Sequence, residues 1–198
     1  MNKYKALLLI ISIFFFDFSI IAHPHVFVDV TTNLSTKDNN ITAVQLLWYY
    51  DEMFSLTLFN DFNKNGDKEF SKDEVNDIRE GIFKRMKDYG YYTHLYIDNK
   101  KSDKTPIFNA WLSDEKVVFS FLYKIDDPKP NSIIKVQIYD EEYYHAFKLL
   151  QDQVSFNGRN PSYSYKLKDV IKKLGFYEAE VSTLILEPSN KNDEKGNR

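Results

Sequence analysis

Alternation of apolar and polar residues at a period of two runs through most of this chain, and it commits the chain to β-structure. In the segment 25–33, Val26, Val28 and Val30 fall on one side, with Phe27, Asp29 and Thr31 on the other. Residues 41–50 are rich in β-branched and aromatic side chains, and Lys37-Asp38-Asn39-Asn40 supplies turn chemistry between the two. An antiparallel hairpin is expected. Beyond Gly90, short strands are predicted at 91–98, 107–112, 117–125 and 133–139, parted by polar clusters such as Asp98-Asn99-Lys100 and Ser113-Asp114-Glu115. Weaker strand signals lie at 143–149 and 154–156, a short helix is expected at 168–174, and a last strand at 176–186. Strands at this spacing predict an antiparallel sheet or sandwich.

One interruption makes the class α+β. Met53, Phe54, Leu56, Leu58 and Phe59 predict a helix over 51–62. Val75, Ile78, Ile82, Phe83 and Met86 recur at helical spacing over 71–89, behind the capping box Ser71-Lys72-Asp73-Glu74 and ahead of Gly90. The expected organisation is a single β-rich domain over 23–186 with a helical insertion at 51–90. A polar tail over 187–198 is expected to be disordered.

The first residues predict export. Lys3 and Lys5 precede an apolar run from Ala6 to Phe16, and Ala22 suits the last position before a cut. This is the pattern of a secretory signal peptide over 1–22. No later segment approaches the roughly 20 apolar residues of a membrane span. The mature protein is therefore expected to be periplasmic or secreted, without a transmembrane segment, and to start at His23.

That start carries chemistry. His23 and His25 are two of the four histidines, and imidazole is a common ligand for zinc, copper and nickel. Cleavage would add an α-amine to His23. Pro24 has no amide N–H to deprotonate, so a square-planar amide-nitrogen site is excluded. On an extended segment His23 and His25 face the same way. Candidates for the remaining ligands are Asp51, Glu52 and Asp140. His94 and His145 stand alone within Tyr- and Phe-rich segments and read as packed or surface histidines.

A second motif lies between the two helices. Counted from Asn63, the stretch to Glu74 resembles a twelve-residue calcium loop. Asn63, Asn65 and Asp67 hold positions one, three and five. Glu69 would offer its carbonyl at seven, Ser71 sits at nine, and Glu74 stands at the bidentate twelfth place. Two departures are Asn63 in place of Asp and Lys68 where glycine normally makes the sharp turn. An EF-hand-like helix–loop–helix, with calcium as its ion, is the expectation.

Composition excludes several classes. The 26 Lys and Arg against 29 Asp and Glu give a net charge of −3, without the basic balance of a nucleic-acid binder. There is no cysteine, hence no disulfide, thiolate metal site or cysteine nucleophile. No serine sits in a strand-to-helix elbow, and no glycine-rich phosphate loop is present. An enzyme is not expected.

These segments together resemble a family of exported bacterial proteins described as periplasmic components of ABC-type transport systems and found beside nickel/cobalt-type permeases. The resemblance rests on His23-Pro24-His25-Val26-Phe27-Val28-Asp29, on Trp48-Tyr49-Tyr50-Asp51-Glu52-Met53-Phe54-Ser55, and on the loop up to Glu74. Gly90-Tyr91-Tyr92-Thr93, Ile138-Tyr139-Asp140, Tyr143-Tyr144 and Ala146-Phe147 extend it. It implies a metal-binding accessory role for a divalent-cation transporter, with His23, His25, Asp51, Glu52 and Asp140 as functional positions. The ion would be nickel, cobalt, zinc or copper, and the partner a membrane metal permease or ABC transporter. The alternative expectation is a protein–protein module that docks on the permease through Tyr91, Tyr92, Tyr143 and Tyr144, with the helical pair as a brace.

Overall fold

The computed structural model describes residues 24–158, 163–174 and 177–189. The expected signal peptide, His23 and most of the expected tail lie outside the described residues. Strands β1 (Val26–Lys37) and β2 (Asn40–Tyr50) form the expected antiparallel hairpin, with Val30 opposite Trp48. Helix α1 (Glu52–Phe62) follows, then α2 (Lys72–Ile78), a π-helical turn (Arg79–Phe83), a last α-turn α3 (Lys84–Met86) and a 3₁₀ segment (Lys87–Tyr92). The chain then returns to strands: β3 (Thr93–Ile97), β4 (Lys100–Lys101), β5 (Ile107–Ser113), β6 (Lys116–Lys124), β7 (Ile134–Ile138), β8 (His145–Asn157), β9 (Tyr163–Leu174) and β10 (Tyr177–Pro188).

Two five-stranded sheets result, ordered β5-β6-β2-β1-β8 and β4-β3-β7-β10-β9. One apolar core joins them. Val28, Val30, Leu46, Trp48, Phe119 and Phe121 of the first sheet share it with Leu95, Val136, Ile138, Leu184 and Leu186 of the second. The helical insertion contributes Leu58, Ile78, Phe83 and Met86. Trp48 anchors it, with Phe121 at 4.3 Å and Phe147 at 4.6 Å between ring centroids. A smaller cluster of Tyr139, Leu174, Ala179 and Val181 lies apart.

Three expectations change. Residues 168–174 are strand, not helix. Val170, Ile171 and Leu174 mimic a helical stripe, but β9 pairs with β10 along its whole length, from Leu174 opposite Tyr177 to Tyr163 opposite Pro188. Residues 187 and 188 accordingly belong to β10 rather than to a tail. The two weak strands at 143–149 and 154–156 are one strand, β8. It pairs with β1 in parallel, Val26 opposite His145, which makes it the exception in an otherwise antiparallel fold.

The turn between the insertion and β3 is backbone-strained. Gly90, Tyr91 and Tyr92 all hold positive φ, at 60°, 55° and 52°. Glycine tolerates this region; the two tyrosines do so at a cost of roughly 1–2 kcal/mol each. Packing holds them there. Tyr91 stacks on Phe83 at 4.9 Å, and Tyr92 packs on Trp48 and Phe147. Both are buried, so neither offers the docking surface expected of Tyr91 and Tyr92.

Candidate functional site

The start of β1 and the start of β8 lie side by side because those two strands run parallel. His25 N–H donates to the carbonyl of Tyr144 at 2.9 Å, and its exposed ring rests 5.2 Å from the Tyr144 ring. The His145 ring also lies against this tyrosine, at 5.1 Å. Tyr92, Phe147 and Phe54 complete a ring of aromatics around His145, at 5.0, 5.8 and 6.4 Å.

Asp140 orients that imidazole. Its carboxylate is 3% exposed and lies in the turn that enters β8. Oδ1 accepts from the Glu142 N–H at 2.9 Å, and Oδ2 accepts from the His145 N–H at 3.1 Å. The same Oδ2 is 2.7 Å from His145 Nδ1. Burial pushes the Asp140 carboxyl up, but the bonds from the His145 ring and the two backbone N–H groups outweigh it and hold it below the usual range. With Nδ1 engaged, Nε2 is the nitrogen left for other chemistry. Neighbouring Tyr92 is pushed up, first by burial and then by the Asp140 charge.

The predicted ligands distribute unevenly. His25 and Asp140 are both part of this corner. Asp51 caps α1: Oδ1 accepts from Phe54 N–H and Oδ2 from Phe27 N–H, each at 2.8 Å. Its carboxylate thus ties β1 to the helix. Glu52 stands exposed in the first turn of α1. His23 lies outside the described residues. Among the described residues no three His, Asp or Glu side chains converge to hold a metal. The sequence reading passed over His145. The available signal was a carboxylate at Asp140 five positions before an imidazole, across a turn.

The loop from Asn63 to Glu74 does join two helices, but its turn differs from a calcium loop. The positive φ falls at Gly66, position four, with 73°. Lys68, where the sharp glycine turn would be, is absent from the positive-φ residues. Loop oxygens face loop N–H groups. Asn63 Oδ1 accepts from Gly66 N–H at 2.7 Å, and the Asn63 amide donates to the Asp67 carbonyl. Asn65 Oδ1 accepts from Asp67 N–H and Asp67 Oδ1 from Glu69 N–H, both at 2.9 Å. Glu74 accepts from Lys64, Asn65 and Ser71 N–H groups, and Ser71 Oγ accepts from Glu74 N–H. The Ser71 N–H is the main cause that lowers the Glu74 carboxyl. As folded, the loop is held by its own N–H groups and by the Ser71–Glu74 capping box.

Residues 7–173 match the family described as "Protein of unknown function (DUF1007)". An "Uncharacterized protein" of Haemophilus influenzae is 24% identical over 189 residues, 91% of this chain and 87% of that protein. An "Uncharacterized 15.5 kDa protein in trpE 3'region" of Spirochaeta aurantia is 30% identical over 90 residues, 42% of this chain and 62% of that protein.

Proposed function

The chain belongs to the DUF1007 family, and on that premise we propose that it is an exported metal-binding accessory protein of a divalent-cation transport system. One observation carries the reading: the His25 and His145 rings both lie against Tyr144, at 5.2 and 5.1 Å, and buried Asp140 engages the His145 ring at Nδ1. A carboxylate behind an imidazole is how proteins set the tautomer and raise the basicity of a metal-ligating histidine. His25 and His145 would hold the ion through ring nitrogen. His23, with its amine after cleavage, would complete the set. Nitrogen donors without sulfur suit nickel, cobalt, zinc or copper(II).

Calorimetry on the mature, chelator-treated protein with nickel and zinc salts tests this. Single-site binding is expected, weakened at least tenfold in His25→Ala and lost in His25→Ala combined with His145→Gln. Unchanged affinity in His25→Ala, whose ring is exposed and whose loss leaves the fold intact, overturns it.

A second reading is docking on a membrane permease. Phe27, Met53, Leu56 and Tyr144 are large, apolar and exposed around this same end of the molecule. Exposed apolar side chains of this size are enriched in interfaces. Co-purification with the permease that persists after chelation and in His25→Ala, but fails in Met53→Asp with Leu56→Asp, favours docking over metal binding.

A further inference from the structure

His94 is the histidine that the site above does not use. The β-ladder sets its surroundings. It stands opposite Gln137 of β7, and Tyr96, two residues on, stands opposite Lys101 of β4. Side chains two apart share a face, so His94, Lys101 and Tyr139 gather on one face of the second sheet. The adjacent β3 residue Leu95 faces the core instead. Above them the strained turn at Gly90 brings Tyr89 and Tyr92, whose rings stack at 5.4 Å and 16°. Together these residues line a cleft of about 230 Å³.

The polar groups of the cleft are unevenly satisfied. His94 is 9% exposed, and its ring stacks flat on Tyr139 at 4.1 Å. Neither ring nitrogen has a hydrogen-bond partner among the described residues. Neither nitrogen is sealed from solvent, so both stay open to a ligand at the cleft. Lys172 covers Tyr139 from β9, its Nζ 4.0 Å from the ring centroid and donating to the hydroxyl. Lys101 lines the mouth. Two ammonium groups therefore bear on one neutral imidazole. Asp88 and Glu141 stand at the exposed rim and balance that charge, so the cleft is not a general sink for anions.

We propose that this cleft binds a small aromatic carboxylate. The His94 N–H and the Lys101 ammonium take the carboxylate, and the ring lies against the Tyr89–Tyr92 pair. The volume admits one ring with a short polar group, and the stacked tyrosines offer a flat apolar wall of the kind aromatic rings favour. The bound anion supplies an acceptor for the imidazole N–H in place of solvent. It also draws charge onto His94, whose imidazolium is held down to about 4 by burial, Lys101 and Lys172.

Benzoate is the probe, titrated into the full chain and followed by calorimetry and by the His94 ring resonances. Saturable binding is expected, with affinity reduced at least tenfold in Lys101→Gln and in His94→Phe. Benzoate should also raise the His94 titration midpoint by about one unit, since an opposite charge at close range favours the imidazolium. Lys101 is exposed, so its variant keeps the fold. Four results overturn the proposal: no saturable binding, equal binding of benzylamine, inorganic phosphate bound as tightly as benzoate, or Lys101→Gln binding benzoate like the parent. None of these bears on metal binding by His25 and His145.

Discussion

His145 and His94 share Tyr92 as a neighbour, and they meet burial in opposite ways. Tyr92 packs on the His145 ring and also lines the His94 cleft. His145 has a buried carboxylate against Nδ1, so its polarity is answered inside the fold. His94 has a tyrosine face and two nearby ammonium groups, so its polarity is answered by nothing among the described residues. The difference teaches that the same side chain, in equally aromatic surroundings, becomes either a ring oriented by a carboxylate or one left facing a cleft. The neighbouring charge decides which.

Replacing each histidine with phenylalanine tests the contrast most severely. His145→Phe leaves Asp140 buried without its ring partner and should cost about 3 kcal/mol in urea unfolding. His94→Phe removes a ring whose nitrogens solvent still reaches, from a flat aromatic stack, and should change stability by less than about 1 kcal/mol. Equal losses in the two variants would erase the distinction.

Acid unfolding should separate the two in pH. His94 is lowered from 6.5 to about 4, so its contribution is complete above 6.5 and is lost as pH falls from there toward about 4. Besides Lys101 and Lys172, the groups facing it are Asp88, Glu141 and Tyr139. Asp140 is lowered from 3.8, so its contribution persists above that value and is lost as pH falls further, through its folded value. His94→Phe should flatten only the upper window, and Asp140→Asn only the lower one, in stability measured from pH 7 to 2.5. The smallest effect belongs to His25→Ala. It should change stability by no more than about 0.5 kcal/mol, as for an exposed side chain, while weakening nickel binding at least tenfold. A loss of folding cooperativity in that variant would mean that His25 holds the corner together rather than facing a ligand.

Much of the fold was legible because burial alternates along a strand. Val26, Val28, Val30 and the even positions of β2 from Leu46 to Tyr50 are buried as their spacing implies. The capping box at Ser71 and Glu74 was equally plain, since both bonds lie within one turn. What escaped was non-local. Nothing near Val26 announces that it will lie opposite His145, and that parallel pairing is what brings His25 to Tyr144. Asp51 read as a ligand because a carboxylate looks alike whether it meets a cation or caps a helix. The structure adds the two N–H groups aimed at it, one of them from a residue 24 positions earlier. Residues 168–174 read as helix because three apolar residues suit both periods, and pairing with β10 settled it.

By itself the sequence determined the strand periodicity, the place of the helical insertion and the absence of sulfur chemistry, because each depends on residues close together in the chain. The tertiary structure alone decided that His25 lies beside Tyr144, through the parallel pairing of β1 with β8, and that His94 stacks on Tyr139 at a cleft. Those contacts join strands far apart in the chain, which local spacing does not record.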